Sequence, residues 1–112
     1  MRSTPIAPGD PWIALGSGIR REVLARVAHR PCSVGEIARE LPVSRPAVSQ
    51  HLRILADAGL VRCRTAGRCN IYEARPEGLG GMRAELDRFW AKALGNFKEI
   101  AEQSYQEERS SE

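Results

Sequence analysis

Between positions 44 and 53 stand Ser44, Arg45, Ser49, Gln50 and Arg53, whose donors are of the kinds that read nucleic acid. Arginine can hold guanine through two bonds, glutamine can hold adenine, and a serine hydroxyl serves a base edge or a phosphate. Interleaved with them are Val48, Leu52 and Leu55 at i, i+4 and i+7, the apolar stripe of one helix face. The donors therefore occupy the other side of that helix, together with His51. Pro46 stiffens its first turn without removing a needed N–H, and Ser44 is placed to cap it. A polar face can serve solubility alone, so its meaning depends on what positions it.

Upstream, "SVGEIARELP" reads as a short helix. Ser33 and Glu36 make a capping box, and Val34, Ile37, Ala38 and Leu41 make a buried stripe. Only "LPVS" separates it from the polar helix, which Gly59 is placed to stop. Two short helices joined by so tight a turn form a helix-turn-helix, whose second helix enters the major groove. Ala38 supplies the small residue where the helices cross, and Val48, ten positions later, locks the second one. The turn has Pro42 where many such motifs have glycine.

Earlier still, Asp10 and Pro11 open a short helix to about Leu15. Ile19, Val23, Leu24 and Val27 then recur at helical spacing, with Arg20, Arg21, Glu22 and Arg26 expected to face outward and Pro31 ending the run. After Gly59 the period becomes two. "LVRCRTAGRCNIYEA" reads as two strands turning near "TAGR", a wing on which Arg62, Arg64 and Arg68 could follow phosphates. "RPEGLGG" is expected to break the chain. A last helix from about Leu79 to Glu107 carries the stripe Leu79, Met82, Leu86, Phe89, Trp90, Ala93, Phe97 and Ile100. So much apolar face on a terminal helix exceeds the needs of one small domain and reads as a dimer interface.

The fold class is thus mainly α with a small β-hairpin, a winged helix-turn-helix in the order α-α-α-α-β-β-α. Residues 1–10 are expected to be a disordered segment, 11–105 the DNA-binding and dimerisation domain, and 106–112 a polar tail. The 112 residues carry a formal charge of +3, weak evidence for a polyanion partner. Distribution says more: Arg45 to Cys69 has five arginines against Asp57, or +4, whereas Glu85 to Glu112 has seven acids against four bases, or −3. No apolar run suits a signal peptide or a membrane span, so a cytoplasmic protein without a membrane partner is expected.

"SRPAVSQHLRILADAGLV" closely resembles the ArsR/SmtB family of bacterial winged-helix transcriptional regulators. The residues that carry the likeness are Ser44, Pro46, Val48, Ser49, His51, Leu52 and Leu55, then Gly59–Val61 and Tyr72, and the likeness extends over about residues 11–103. It implies a homodimer built from the first and last helices, which adds Trp12 and Leu15 to the interface. It also implies binding to an inverted repeat as a repressor or, less often, an activator.

The family's metal sensors place a C-x-C motif before the turn or Asp/His/Glu sets on the last helix. Here "EIARELP" has no cysteine and the last helix no histidine, so no metal site and no cofactor is expected. Cys63 and Cys69 are expected roughly opposite each other on the wing, near enough for a disulfide or one soft ion, with Cys32 distant. Two thiols remain one short for arsenite and two short for structural zinc, and small buried hydrophobes are the commoner role. The expected partners are double-stranded DNA, a second copy, and a partner protein or small effector as controlling input. One rival is a metal- or thiol-responsive sensor of the same fold. Another is a protein-interaction module using the long helix. No nucleophile–base pair, phosphate loop or ligand cluster suggests an enzyme.

Overall fold

Side-chain caps supplied by the sequence start each of the first four helices in the computed structural model, which describes residues 9–110. The segment expected to be disordered falls, up to residue 8, outside that range. In α1 (Pro11–Ala14) the Asp10 carboxylate accepts from the N–H groups of Trp12 and Ile13. Ser17 caps α2 (Gly18–His29), and Ser33 with Glu36 closes the expected capping box on α3 (Val34–Glu40). Ser44 Oγ accepts from Ala47 N–H at 3.3 Å to start α4 (Arg45–Asp57), with Pro46 in its first turn. Each cap satisfies a donor that the helix itself leaves orphaned.

Residues through Gly80 form one compact unit, and those from Gly81 onward a second. The first unit's core joins Val23, Leu24 and Val27 of α2, Ile37 of α3 and Val48, Leu52 and Leu55 of α4 with Cys32, Leu60 and Val61. Two arginines expected to face outward instead lie half-buried in it. The Nε of Arg20 donates to the Ala14 carbonyl at 2.7 Å. Arg26 grips Glu40 with Nε and, at 3.0 Å, with Nη2, joining α2 to the end of α3. That bond raises the Arg26 pKa and lowers that of Glu40.

Gly59, at φ +75°, ends α4 in the left-handed region, and the chain enters β1 (Val61–Ala66). A two-residue turn, Gly67–Arg68, leads into antiparallel β2 (Cys69–Ala74). Glycine at the first turn position, with φ +65°, suits a hairpin that follows the right-handed twist of its strands. The register pairs Arg62 with Glu73, Cys63 with Tyr72 and Ala66 with Cys69. Beyond β2, Cys32 exchanges both backbone hydrogen bonds with Tyr72, at 3.0 and 2.8 Å. Cys32 is therefore not distant from the wing: one tyrosine separates it from Cys63.

The final helix, α5, runs from Pro76 to Ser110, so "RPEGLGG" does not break the chain. Proline is at home in a first turn, and Gly78 is needed for proximity, since a Cβ there would sit 2.2 Å from the Gly59 carbonyl oxygen. Within the second unit Leu86, Phe89, Trp90, Leu94, Phe97 and Ile100 are exposed. Phe89 and Trp90 meet edge to face at 5.9 Å.

Candidate nucleic-acid interface

The core fixes which way α4 faces. Val48, Leu52 and Leu55 are fully buried, and at about 100° per residue Pro46, Gln50 and Arg53 lie on the opposite side. Ser44, Arg45, Pro46, Ser49, Gln50 and Arg53 are all exposed. His51 is placed differently: it is half-buried, and its Nδ1 is enclosed without a hydrogen-bond partner. Burial, helped by the charge of Arg20, lowers its pKa. It thus stands behind the row of donors, against the rest of the fold.

Arg45 reaches back across α3. Its guanidinium lies 3.3 Å from where a Cβ on Gly35 would be, so the glycine makes room for it. Arg39 leans toward the same place, donating to the Gly35 carbonyl at 3.3 Å. Together with Ser33, Cys69 and Asn70 these residues line an open groove of about 370 Å³. It joins the start of α4, α3 and the tip of the hairpin on one surface. The sequence signal for this was a glycine inside a seven-residue helix, where it weakens the helix unless something must approach closely.

On the wing, Arg62 and Arg64 share one face. Both engage Glu73, at 2.8 and 3.6 Å from their Nε atoms. Arg68 occupies the exposed turn and makes no ion pair among the described residues. The sequence reading missed Glu73, because its alignment with Arg62 depends on the register, which the two-residue turn sets.

The expected cysteine pair does not form. Cys63 aligns with Tyr72 and Cys69 with Ala66. Three positions separate them in register, an odd offset that puts them on opposite faces and about 10 Å apart along the strands, beyond disulfide reach. Because Tyr72 spends both backbone groups on Cys32, its pair with Cys63 is of the non-hydrogen-bonded kind, in which side chains approach closely. Burial and then Cys63 raise the Tyr72 pKa, and burial raises that of Cys32. Among the described residues no group of three or more Cys, His, Asp or Glu gathers where it could hold a metal ion. No described helix is long and apolar enough to cross a membrane.

Comparison with known proteins places this geometry. Residues 15–64 match a family model described as a helix-turn-helix domain. The chain is 50% identical over 98 residues to the HTH-type transcriptional regulator Rv2034 of Mycobacterium tuberculosis, covering 88% of this chain and 92% of that one. Among solved structures, an ArsR-like transcriptional regulator from Rhodococcus sp. RHA1 superposes with a TM-score of 0.69 at 33% identity, over 80% of this chain and 88% of that one. The homodimeric winged helix-turn-helix DNA-binding domain of Mb0332 from Mycobacterium bovis, a possible ArsR-family regulator, superposes at 0.59 with 26% identity, over 70% of this chain and 72% of that one. Helix-turn-helix, wing and similarity over most of the chain agree: the chain belongs to the ArsR family of winged helix-turn-helix transcriptional regulators, and it is a DNA-binding regulator rather than an enzyme.

Proposed function

We propose that two copies of the chain bind an inverted-repeat operator, each laying α4 in a major groove with its wing beside the neighbouring backbone. The observation that carries this reading is the outward face of α4, where Ser49, Gln50 and Arg53 stand exposed on a helix whose other face is fixed in the core. Gln50 and Arg53 read bases, Ser44, Arg45, Pro46 and Ser49 meet the backbone at the helix entry, and His51 orients the helix from behind. Arg62, Arg64 and Arg68 face phosphates. Trp12 of α1, Leu15 just after it, and Leu79, Met82, Leu86, Phe89, Trp90, Ala93, Phe97 and Ile100 of α5 form the dimer interface. Half-sites then lie about one helical turn, roughly 34 Å, apart.

The protein acts in the cytoplasm, where its DNA is, and among the described residues of one chain no His, Cys, Asp and Glu gather as a metal-ligand set. Its controlling input is then its own abundance, a partner protein or an organic ligand. The test is binding of the purified protein to the DNA upstream of its own gene, with and without stoichiometric zinc, nickel or oxidant. Tight binding that ignores all three and weakens on Arg53→Ala supports this reading. Binding switched by one of them makes the protein a sensor, and sequence-indifferent binding that ignores Arg53→Ala overturns recognition by α4.

A further inference from the structure

We propose that Glu73 is a specificity-setting residue of the wing: it holds Arg62 and Arg64 in an internal ion pair that a DNA phosphate must break, so these arginines add little to binding on random sequence. This rests on the DNA-binding reading above. Arg62 and Arg64 stand two positions apart on β1 and so share a face. The register puts Glu73 directly opposite Arg62, with Arg64 its diagonal neighbour. Each guanidinium takes one carboxylate oxygen, Oε1 at 2.8 Å for Arg62 and Oε2 at 3.6 Å for Arg64.

Exposure separates the partners. The arginine side chains are 57% and 52% exposed, whereas that of Glu73 is 21% exposed. The carboxylate is the more fixed member, and the arginines reach it from solvent. The hydrogen bond from Arg62, aided by the charges of Arg62 and Arg64, holds the Glu73 carboxyl below its ordinary pKa, so it stays ionised wherever DNA binding is normally measured.

A phosphate offers the arginines the same chemistry as this carboxylate. An arginine that turns to a phosphate must therefore let go of Glu73, and fewer counterions are released than three arginines imply. Where the wing fits its groove closely, several phosphates outweigh one carboxylate; on random sequence they do not. The result is discrimination by an internal competitor rather than by a stronger bond to the operator.

The experiment measures binding to a random-sequence duplex of about 30 base pairs by fluorescence anisotropy, from about 50 to 200 mM salt. Glu73→Gln is expected to bind more tightly at low salt and to steepen the plot of log K against log salt by about one unit, roughly a fourfold larger loss across that range. Glu77→Gln, which removes a carboxylate paired with Arg75 outside the hairpin, leaves the slope unchanged. Arg62→Gln with Arg64→Gln changes the slope little in the natural protein but cancels the tighter binding in the Glu73→Gln background. Should Glu73→Gln fail to fold by circular dichroism, Glu73→Thr, which suits a strand, is measured in its place. Equal slopes with and without Glu73, or equal losses from the arginine substitutions in both backgrounds, overturn the proposal while leaving the DNA-binding reading standing. A natural protein with no salt-dependent binding to any duplex overturns both.

Discussion

Residues of α4 only one or two positions apart face opposite ways, and substitution is expected to separate their roles. Leu52 is fully buried, so Leu52→Ala is expected to cost about 2–5 kcal/mol of stability through lost burial and the cavity left behind. Gln50 is exposed on the outward face, so Gln50→Ala leaves the urea midpoint close to that of the natural protein while weakening operator binding by about 1–3 kcal/mol. Between these extremes stands His51. Its folded pKa is lowered, chiefly by burial, whereas in the unfolded chain it takes the ordinary value of about 6.5. Above that value both states are neutral and its contribution is complete. As pH falls through 6.5 toward the lowered folded value, the unfolded state gains the proton first and stability declines. Urea midpoints measured at about pH 7.5 and 5.5 are expected to differ, with the lower pH less stable, and His51→Gln is expected to flatten that difference. The buried stripe and the exposed donors were legible in the sequence because helical spacing alone assigns the faces. The seclusion of His51 and the seat that Gly35 makes for Arg45 were not, because each depends on a neighbouring helix.

Glycine shows how far local signals carry at the scale of elements. Gly59 and Gly67 stand where a turn needs positive φ, and both positions could be read from the change of period on either side. "RPEGLGG" misled because proline and glycine mark breaks in general, whereas here Pro76 sits in the first turn of α5 and Gly78 admits the Gly59 carbonyl. A sequence cannot separate a glycine that ends a helix from one that lets another segment come near. Substitution can. Gly78→Ala forces a Cβ to 2.2 Å from a backbone oxygen and is expected to lower the melting temperature. At Gly80 nothing lies within 4 Å of the added carbon, so Gly80→Ala is expected to stabilise the helix by about 0.5–1 kcal/mol through its backbone entropy. Opposite signs at two glycines in the same turn, read by thermal melting, would establish that the first is held by packing. The hairpin was legible in the same partial way. Its alternation and its turn were visible, but a misjudged register was enough to pair Cys63 with Cys69 and to leave Glu73 out.

For the whole molecule the question is what covers the apolar face of α5. Phe89, Phe97 and Ile100 are 64%, 69% and 62% exposed, more aromatic and aliphatic surface than a chain in water keeps bare without use. A second copy answers this best, because a self-complementary helix face closes as a two-fold pair and two recognition helices then meet two half-sites. Charge agrees with that division of work: residues 45–74, which hold α4 and the wing, carry five arginines against Asp57 and Glu73, or +3, while residues 85–112, which hold most of α5, are −3, so the helix has little attraction for DNA. On the proposed reading binding and assembly are linked, since a monomer would offer one α4 and only half of the operator contacts. Phe97→Glu puts a charge into the apolar face without touching α4 or the wing. It is expected to shift the protein from dimer to monomer in sedimentation equilibrium and to weaken operator binding by at least tenfold, about 1.4 kcal/mol. Binding to a single half-site, measured at protein concentrations where the natural protein is also monomeric, should be unchanged. A variant that stays dimeric would move the interface off this face. One that becomes monomeric yet keeps full operator affinity would mean that each chain reads its half-site alone.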